Sequence, residues 1–282
     1  MGSRSQHSAK AKRGGALLDI SNLLLKTAEV TRGRVDRQDT FRDFLAFCAC
    51  TLSNRTDPVH LKTRTEQLEP LSKKYKPQEL DGFMTTFIQL SDHISQNVQR
   101  GIYTDVFGPV FQQLHPKNGP LKQDFSQPSI GSLIARISFQ GITPSDKGYA
   151  TYMEPTCGSG TLCLQGVQNF SDRGYNPCEQ IVLQASDLDS QCVHMTYIQL
   201  SLYCVPAVVI WGNDITLEEY DRWYTPLYIW RKWIWREPMP FQPGQNRSDE
   251  TLKMICEPWY AKARQLGSLI KEKEGAMDRK SE

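Results

Sequence analysis

Three short stretches of this chain end in groups that could hold a ligand. Residues 152–162, "YMEPTCGSGTL", pass from extended-type residues through Gly158 and Gly160 into helix formers. Glycines at such a bend let the backbone turn tightly and let a ligand approach it closely. "IVLQASDLD" (181–189) is an apolar run closing on Asp187 and Asp189. "PAVVIWGND" (206–214) is another, closing on Asn213 and Asp214. A carboxylate accepts from sugar hydroxyls, and an amide or a carboxyl group can meet the amino group of adenine. Together these groups suit an adenosine-containing cofactor.

Other readings of the same residues stand beside that one. A phosphate-binding loop of the form G-x-x-x-x-G-K-S/T requires a lysine after the second glycine, and none follows Gly160. A dinucleotide fingerprint requires a third glycine where Cys163 stands. A structural turn without ligand also fits the glycines alone. Asp189, just before "SQCVHM", fits a helix N-cap equally well.

The elements that must position these residues can be read from apolar spacing. Residues 150–214 alternate strand, helix, strand, helix, strand, the order of a parallel sheet with right-handed crossovers. Ligands of such sheets bind outside the carboxyl ends of the strands, where all three stretches terminate. Upstream, "LLDISNLLLKTAEV", "FRDFLAFCACTLSN" and "PQELDGFMTTFIQLSDHI" carry apolar residues at helical spacing. The expected organisation is a disordered basic arm (1–15), a helical region (16–120), an α/β ligand-binding domain (121–240) and a C-terminal helical tail (241–282).

Composition narrows the classes. The chain has 282 residues and a formal net charge of +2, so no whole-molecule field implies a nucleic-acid partner. Its eight cysteines and five histidines lack zinc-site spacing, and no metal is expected; buried reduced thiols of a cytoplasmic protein are. No apolar run reaches the length of a membrane helix.

"EPTCGSGTL" resembles the cofactor turn of S-adenosylmethionine-dependent DNA methyltransferases acting on adenine, above all the modification subunits of type I restriction systems. There the turn usually reads Asp-Pro-(Thr/Ala)-Cys-Gly-Ser-Gly; Glu154 stands in place of the Asp. "DVFGPVFQQL" resembles the helix preceding that family's cofactor site. "QDFSQPSIGSLIARI" resembles its Gly-Gln-Phe-Phe-Thr-Pro segment, keeping Phe125 and Pro128 while Ser126 and Gln127 replace the second aromatic and the Thr. The resemblance covers about residues 101–214. It implies a Rossmann-like methyltransferase sheet, partial and mostly parallel, after a helical N-terminal region. It also implies S-adenosylmethionine held by Phe125, Pro128, Glu154, Thr156, Cys157, Gly158, Ser159, Gly160, Asp187, Leu188, Asp189, Asn213 and Asp214. The activity implied is methyl transfer to the adenine amino group of DNA, as in restriction-modification.

One part of the family pattern is missing. Its Asn-Pro-Pro-(Tyr/Phe) motif accepts hydrogen bonds from the target amino group and stacks on the extruded base, and no such tetrapeptide follows Asp214. "YNPC" (175–178) comes before the second strand and reads as a turn, and "YTPLY" (224–228) lacks the Asn. "MICEPWY" offers Glu257, Pro258 and Tyr260 as substitutes. A cofactor-binding accessory or regulatory subunit without activity is therefore the alternative. No clear strand alternation follows Asp214. The aromatic-basic segment 221–236, with Arg222, Trp223, Tyr224, Arg231 and Lys232, fits three roles: nucleic-acid contact, structural cover, or an interface with a protein partner or second copy.

Overall fold

The computed structural model describes residues 20–115 and 141–236. Helices come first: α1 (20–28), α2 (Arg37–Thr56), α3 (Leu61–Lys74), α4 (Pro77–Gln99) and the short α5 (Gly108–Leu114). Their boundaries follow ordinary capping chemistry. The Asp36 carboxylate accepts from the Gln38 and Asp39 amides at the start of α2. Pro77 opens α4, where a missing N–H costs nothing. The helical reading of the N-terminal region therefore holds across its described part.

The second half builds β1 (Ala150–Glu154), α6 (Thr161–Asp172), β2 (Ile181–Asp187), α7 (Ser190–Leu202), β3 (Ala207–Asn213), β4 (Glu218–Tyr224) and α8 (Pro226–Trp230). A single helical turn, Pro177–Gln180, leads into β2, and its Asn176 cap accepts from the Cys178 amide. The "YNPC" stretch, read as a turn, is the capped start of this single helical turn. The sheet order is β1-β2-β3-β4. The first three strands are parallel, with Ala150 beside Ile181 and Leu183 beside Ala207. The fold is accordingly α/β, with a mostly parallel sheet behind a helical region.

β4 departs from expectation. It pairs antiparallel to β3, with Val208 opposite Tyr224 and an irregularity at Trp211/Gly212. Its sequence, "EEYDRWY", hides the period because its last three side chains are all buried. A strand alternates faces, so consecutive burial requires cover on both sides.

Both covers are present. On one face Ile181, Leu183, Ala185, Ala207, Val209 and Trp223 join a continuous apolar core with α2, α4, α6 and α7. On the other, Val182, Val208, Ile210 and Tyr224 pack under Tyr149, Tyr228, Ile229 and Trp233. Arg64 of α3 ties β4 to the helices. Its guanidinium, fully buried, pairs with both oxygens of Asp221, donates to the Arg222 carbonyl at 2.8 Å and lies 3.4 Å from the Trp223 ring centroid.

Candidate functional site

The carboxyl ends of the three parallel strands form one rim. Beyond β1 the chain bends at Cys157–Gly160. Gly158 and Gly160 both take left-handed backbone angles, φ 54° and 92°. A side chain at Gly160 would be strained by that angle, and its Cβ would lie 3.0 Å from the Thr196 hydroxyl. The bend is sewn to its neighbours. The Cys157 amide donates to the Ser186 carbonyl at 2.9 Å, the Thr196 hydroxyl donates to the Gly158 carbonyl at 3.0 Å, and Gln199 Nε2 donates to the Ser159 carbonyl.

The bend and the acid of the second strand form a single unit. Gly158 N–H donates to Asp187 Oδ2 at 2.8 Å, while Asp187 Oδ1 accepts from the Asp189 amide at 2.9 Å. Partial burial raises the Asp187 carboxyl above its ordinary range, although the amides of Asp189 and Gly158 pull it back. A carboxylate offers about four acceptor positions, so with the Asp189, Gly158 and Leu188 amides directed at it Asp187 keeps capacity for a further donor. At the end of β3, Asp214 accepts from the Ser186 hydroxyl at 2.7 Å and is likewise raised by burial.

The remaining predicted residues divide by role. Glu154 is buried and accepts from the Tyr152 hydroxyl at 2.8 Å; the Thr156 amide and hydroxyl approach its other oxygen at 3.4 and 3.5 Å. Burial, with the neighbouring Glu154 charge adding to it, pushes the Tyr152 hydroxyl far up. Asp189 is the N-cap of α7, accepting from the Gln191 amide at 2.8 Å. Asn213 Oδ1 accepts from the Ile215 and Thr216 amides at 3.0 and 3.2 Å, shaping the β3–β4 turn. Cys157 is buried beneath the rim and its thiol is pushed well up, so it stays protonated and unreactive. Ser159 is buried too, facing inward. The thiols are not uniformly interior, since Cys204 is exposed.

The rim also carries an apolar component that sequence reasoning named only in part. Leu188 is 61% exposed and Ile215 is 95% exposed, on the turns after β2 and β3. Between these strands Trp211 Nε1 donates to the Leu188 carbonyl at 3.0 Å and fixes that turn. Ile215 was missed, and its signal was its place directly after the polar pair Asn213-Asp214. Asp105 was missed as well. It lies in the loop before α5 and touches the glycine bend.

The nucleic-acid candidates are corrected in part. Arg222, Trp223 and Tyr224 are buried in β4, at 3%, 1% and 0% exposure. Arg222 is held by Glu219 at 2.7 Å, and Tyr224 stacks on Tyr228. Side chains committed to the interior cannot meet a phosphate or a base, so structural cover describes these three. Arg231 pairs with Glu179 at 2.8 Å on the surface, and Lys232 takes a left-handed φ of 59°. Trp230 is exposed. Phe125, Pro128, Glu257, Pro258 and Tyr260 lie outside the described residues. Among the described helices none is long and apolar enough to cross a membrane.

No known family profile matches the chain, and no curated protein does. Several solved structures are similar, two of which are as follows. One is described as a class I S-adenosylmethionine-dependent methyltransferase from Listeria monocytogenes, at 11% identity, with 86% of this chain and 79% of that chain covered and a TM-score of 0.43. The other is the methyltransferase subunit of the type I restriction-modification system from Streptococcus thermophilus, at 13% identity, with 72% and 60% covered and a TM-score of 0.35. This chain therefore spans less than two thirds of the latter.

Proposed function

We propose that the rim binds S-adenosylmethionine and that the chain is a methyltransferase acting on the adenine amino group of DNA. The observation that carries the reading is the coupling of a left-handed glycine bend to a carboxylate with spare acceptor capacity, Gly158 N–H to Asp187, at the carboxyl ends of parallel strands. A ribose hydroxyl matches the remaining acceptor capacity of Asp187. Leu188 and Ile215 supply apolar faces for a flat base on the same rim, and Asn213 and Asp214 supply polar groups at its edge. Glu154, buried and hydrogen-bonded to Tyr152, stands where a cationic end of the ligand would be favoured.

Bound there, S-adenosylmethionine would supply a sulfonium methyl group to an amino nitrogen. This chain must then accept hydrogen bonds from that nitrogen and take up its proton. Glu257, with Pro258 and Tyr260 beside it, is the proposed acceptor set. DNA is the proposed substrate, and Trp230 with Arg231 is the proposed contact for a protein partner or a second copy.

A second reading is a cofactor-binding accessory subunit without activity. It is favoured by the reversal of the chain into antiparallel β4 directly after the third strand, which brings no base-binding group to the rim among the described residues. Two measurements separate the readings. Calorimetry with S-adenosylmethionine tests the site. Incorporation of labelled methyl into DNA at high protein concentration tests transfer; binding without incorporation selects the accessory role, and no binding rejects both.

A further inference from the structure

We propose that Asp105 is a positioning residue that sets the shape of the glycine bend, and through it the fit of the ligand on the rim. The proposal rests on the S-adenosylmethionine reading only for the identity of that ligand. Asp105 lies in the segment between α4 and α5, so it belongs by sequence to the helical region rather than to the sheet.

Its two oxygens divide the work. Oδ1 accepts from the Phe107 amide at 3.0 Å, the Gly108 amide at 2.9 Å and Gln199 Nε2 at 3.1 Å. Oδ2 accepts from the hydroxyls of Ser159 and Thr161. Those hydroxyls flank Gly160, the left-handed residue that caps the start of α6. One carboxylate therefore grips the bend on both sides of its most constrained position. Gln199 completes the clamp by donating to the Ser159 carbonyl and accepting from the Val106 amide at 2.8 Å.

A second observation comes from Gly108. A Cβ there would lie 2.3 Å from Asp105 Oδ2 and 2.8 Å from the Ser159 hydroxyl. A residue with no side chain at the start of α5 is thus what lets the carboxylate and Ser159 come together. The loop carrying Asp105 is itself pinned at other points. Gln168 accepts from the Tyr103 amide at 2.8 Å, and the Tyr203 hydroxyl donates to the Thr104 carbonyl at 2.8 Å. The carboxylate is consequently held from behind while it holds the bend in front. Hydrogen bonds to an ionised acceptor are the stronger kind, and a buried hydroxyl left without one is costly.

The test compares wild type with Asp105→Ala, with the double variant Ser159→Ala/Thr161→Val, and with all three changes combined. Three quantities are read: affinity for S-adenosylmethionine by calorimetry, melting temperature, and the Gly158 and Gly160 amide signals of ligand-free protein by NMR. Asp105→Ala is expected to weaken binding by about tenfold or more and to shift both glycine signals. The double variant should shift the same signals, and the combined variant should bind no worse than Asp105→Ala, because the same contacts are removed. If Asp105→Ala does not fold, the double variant decides alone, since it leaves the Phe107 and Gly108 bonds in place. A lowered melting temperature with unchanged glycine signals and affinity overturns the proposal. Wild type that binds no S-adenosylmethionine while the variant signals still move overturns the ligand reading and leaves the positioning role standing.

Discussion

The rim and the segment 221–236 hold similar kinds of residues and use them in opposite directions. On the rim, Leu188 and Ile215 stand in solvent beside Asp187 and Asp214, whose carboxyls keep unused acceptor positions. In the segment, Arg222 is matched by Glu219, Trp223 lies against the Arg64 guanidinium and Tyr224 stacks on Tyr228. The difference lies in who supplies the partners. Where the chain itself satisfies each charge and covers each ring, the residues hold the fold together. Where it leaves capacity open next to exposed apolar surface, they are available to a ligand.

The comparison breaks first at its buried side. Arg64→Ala leaves Asp221 without its ion pair inside the protein and should destabilise by about 3–5 kcal/mol, read by urea denaturation. A loss below about 1 kcal/mol would mean that the pair behaves like a surface contact and that β4 is held otherwise. The rim is tested next with Gly160→Val. The left-handed angle should cost about 1–2 kcal/mol, with loss of S-adenosylmethionine binding while the circular dichroism of the sheet persists.

Asp187→Asn sharpens the contrast, because it should cost affinity more than stability. Replacing the ionised acceptor should weaken binding by about tenfold or more. The stability sign follows from the raised carboxyl of Asp187. Its folded state binds protons more readily than its unfolded state, so this group favours folding at acid pH. That contribution is lost as pH rises from the ordinary value of 3.8 through the raised one. Asp214 acts in the same sense. Asp187→Asn removes the charge that burial opposes at neutral pH but has one acceptor oxygen where the carboxylate has two, so either the Gly158 or the Asp189 amide loses its partner and a net loss of about 1 kcal/mol is expected. Affinity of the wild type should fall as pH drops through the raised carboxyl, since a protonated group offers fewer acceptors. Denaturation and calorimetry across the acid range check both. The smallest effect is expected from Asp189→Ala, about 1 kcal/mol for a lost helix cap, with affinity near wild type; a large loss of affinity would move Asp189 from cap to ligand contact.

Much of the site was legible because it is local. The glycines, and the acids closing apolar runs, show in a window of ten residues, and the parallel order of three strands follows from their alternation with helices. What depends on distant partners was not legible. The aromatic-basic stretch of β4 fits cover, partner or nucleic acid alike until Arg64, 157 residues away from Asp221, is placed beside it. Asp105 had a local sign, a carboxylate followed two and three residues later by the amides it caps, but its grip on Ser159 and Thr161 spans more than 50 residues. Gln199 sits in an apolar helix with no distinguishing mark, and only the fold gives it both Val106 and Ser159.

Titration of wild type and Gly160→Val with S-adenosylmethionine in a calorimeter tests the central claim most directly. Saturable binding of one molecule per wild-type chain, abolished in a Gly160→Val protein that keeps its secondary structure, is the predicted result. Equal heats from both proteins, or none from wild type, would contradict it.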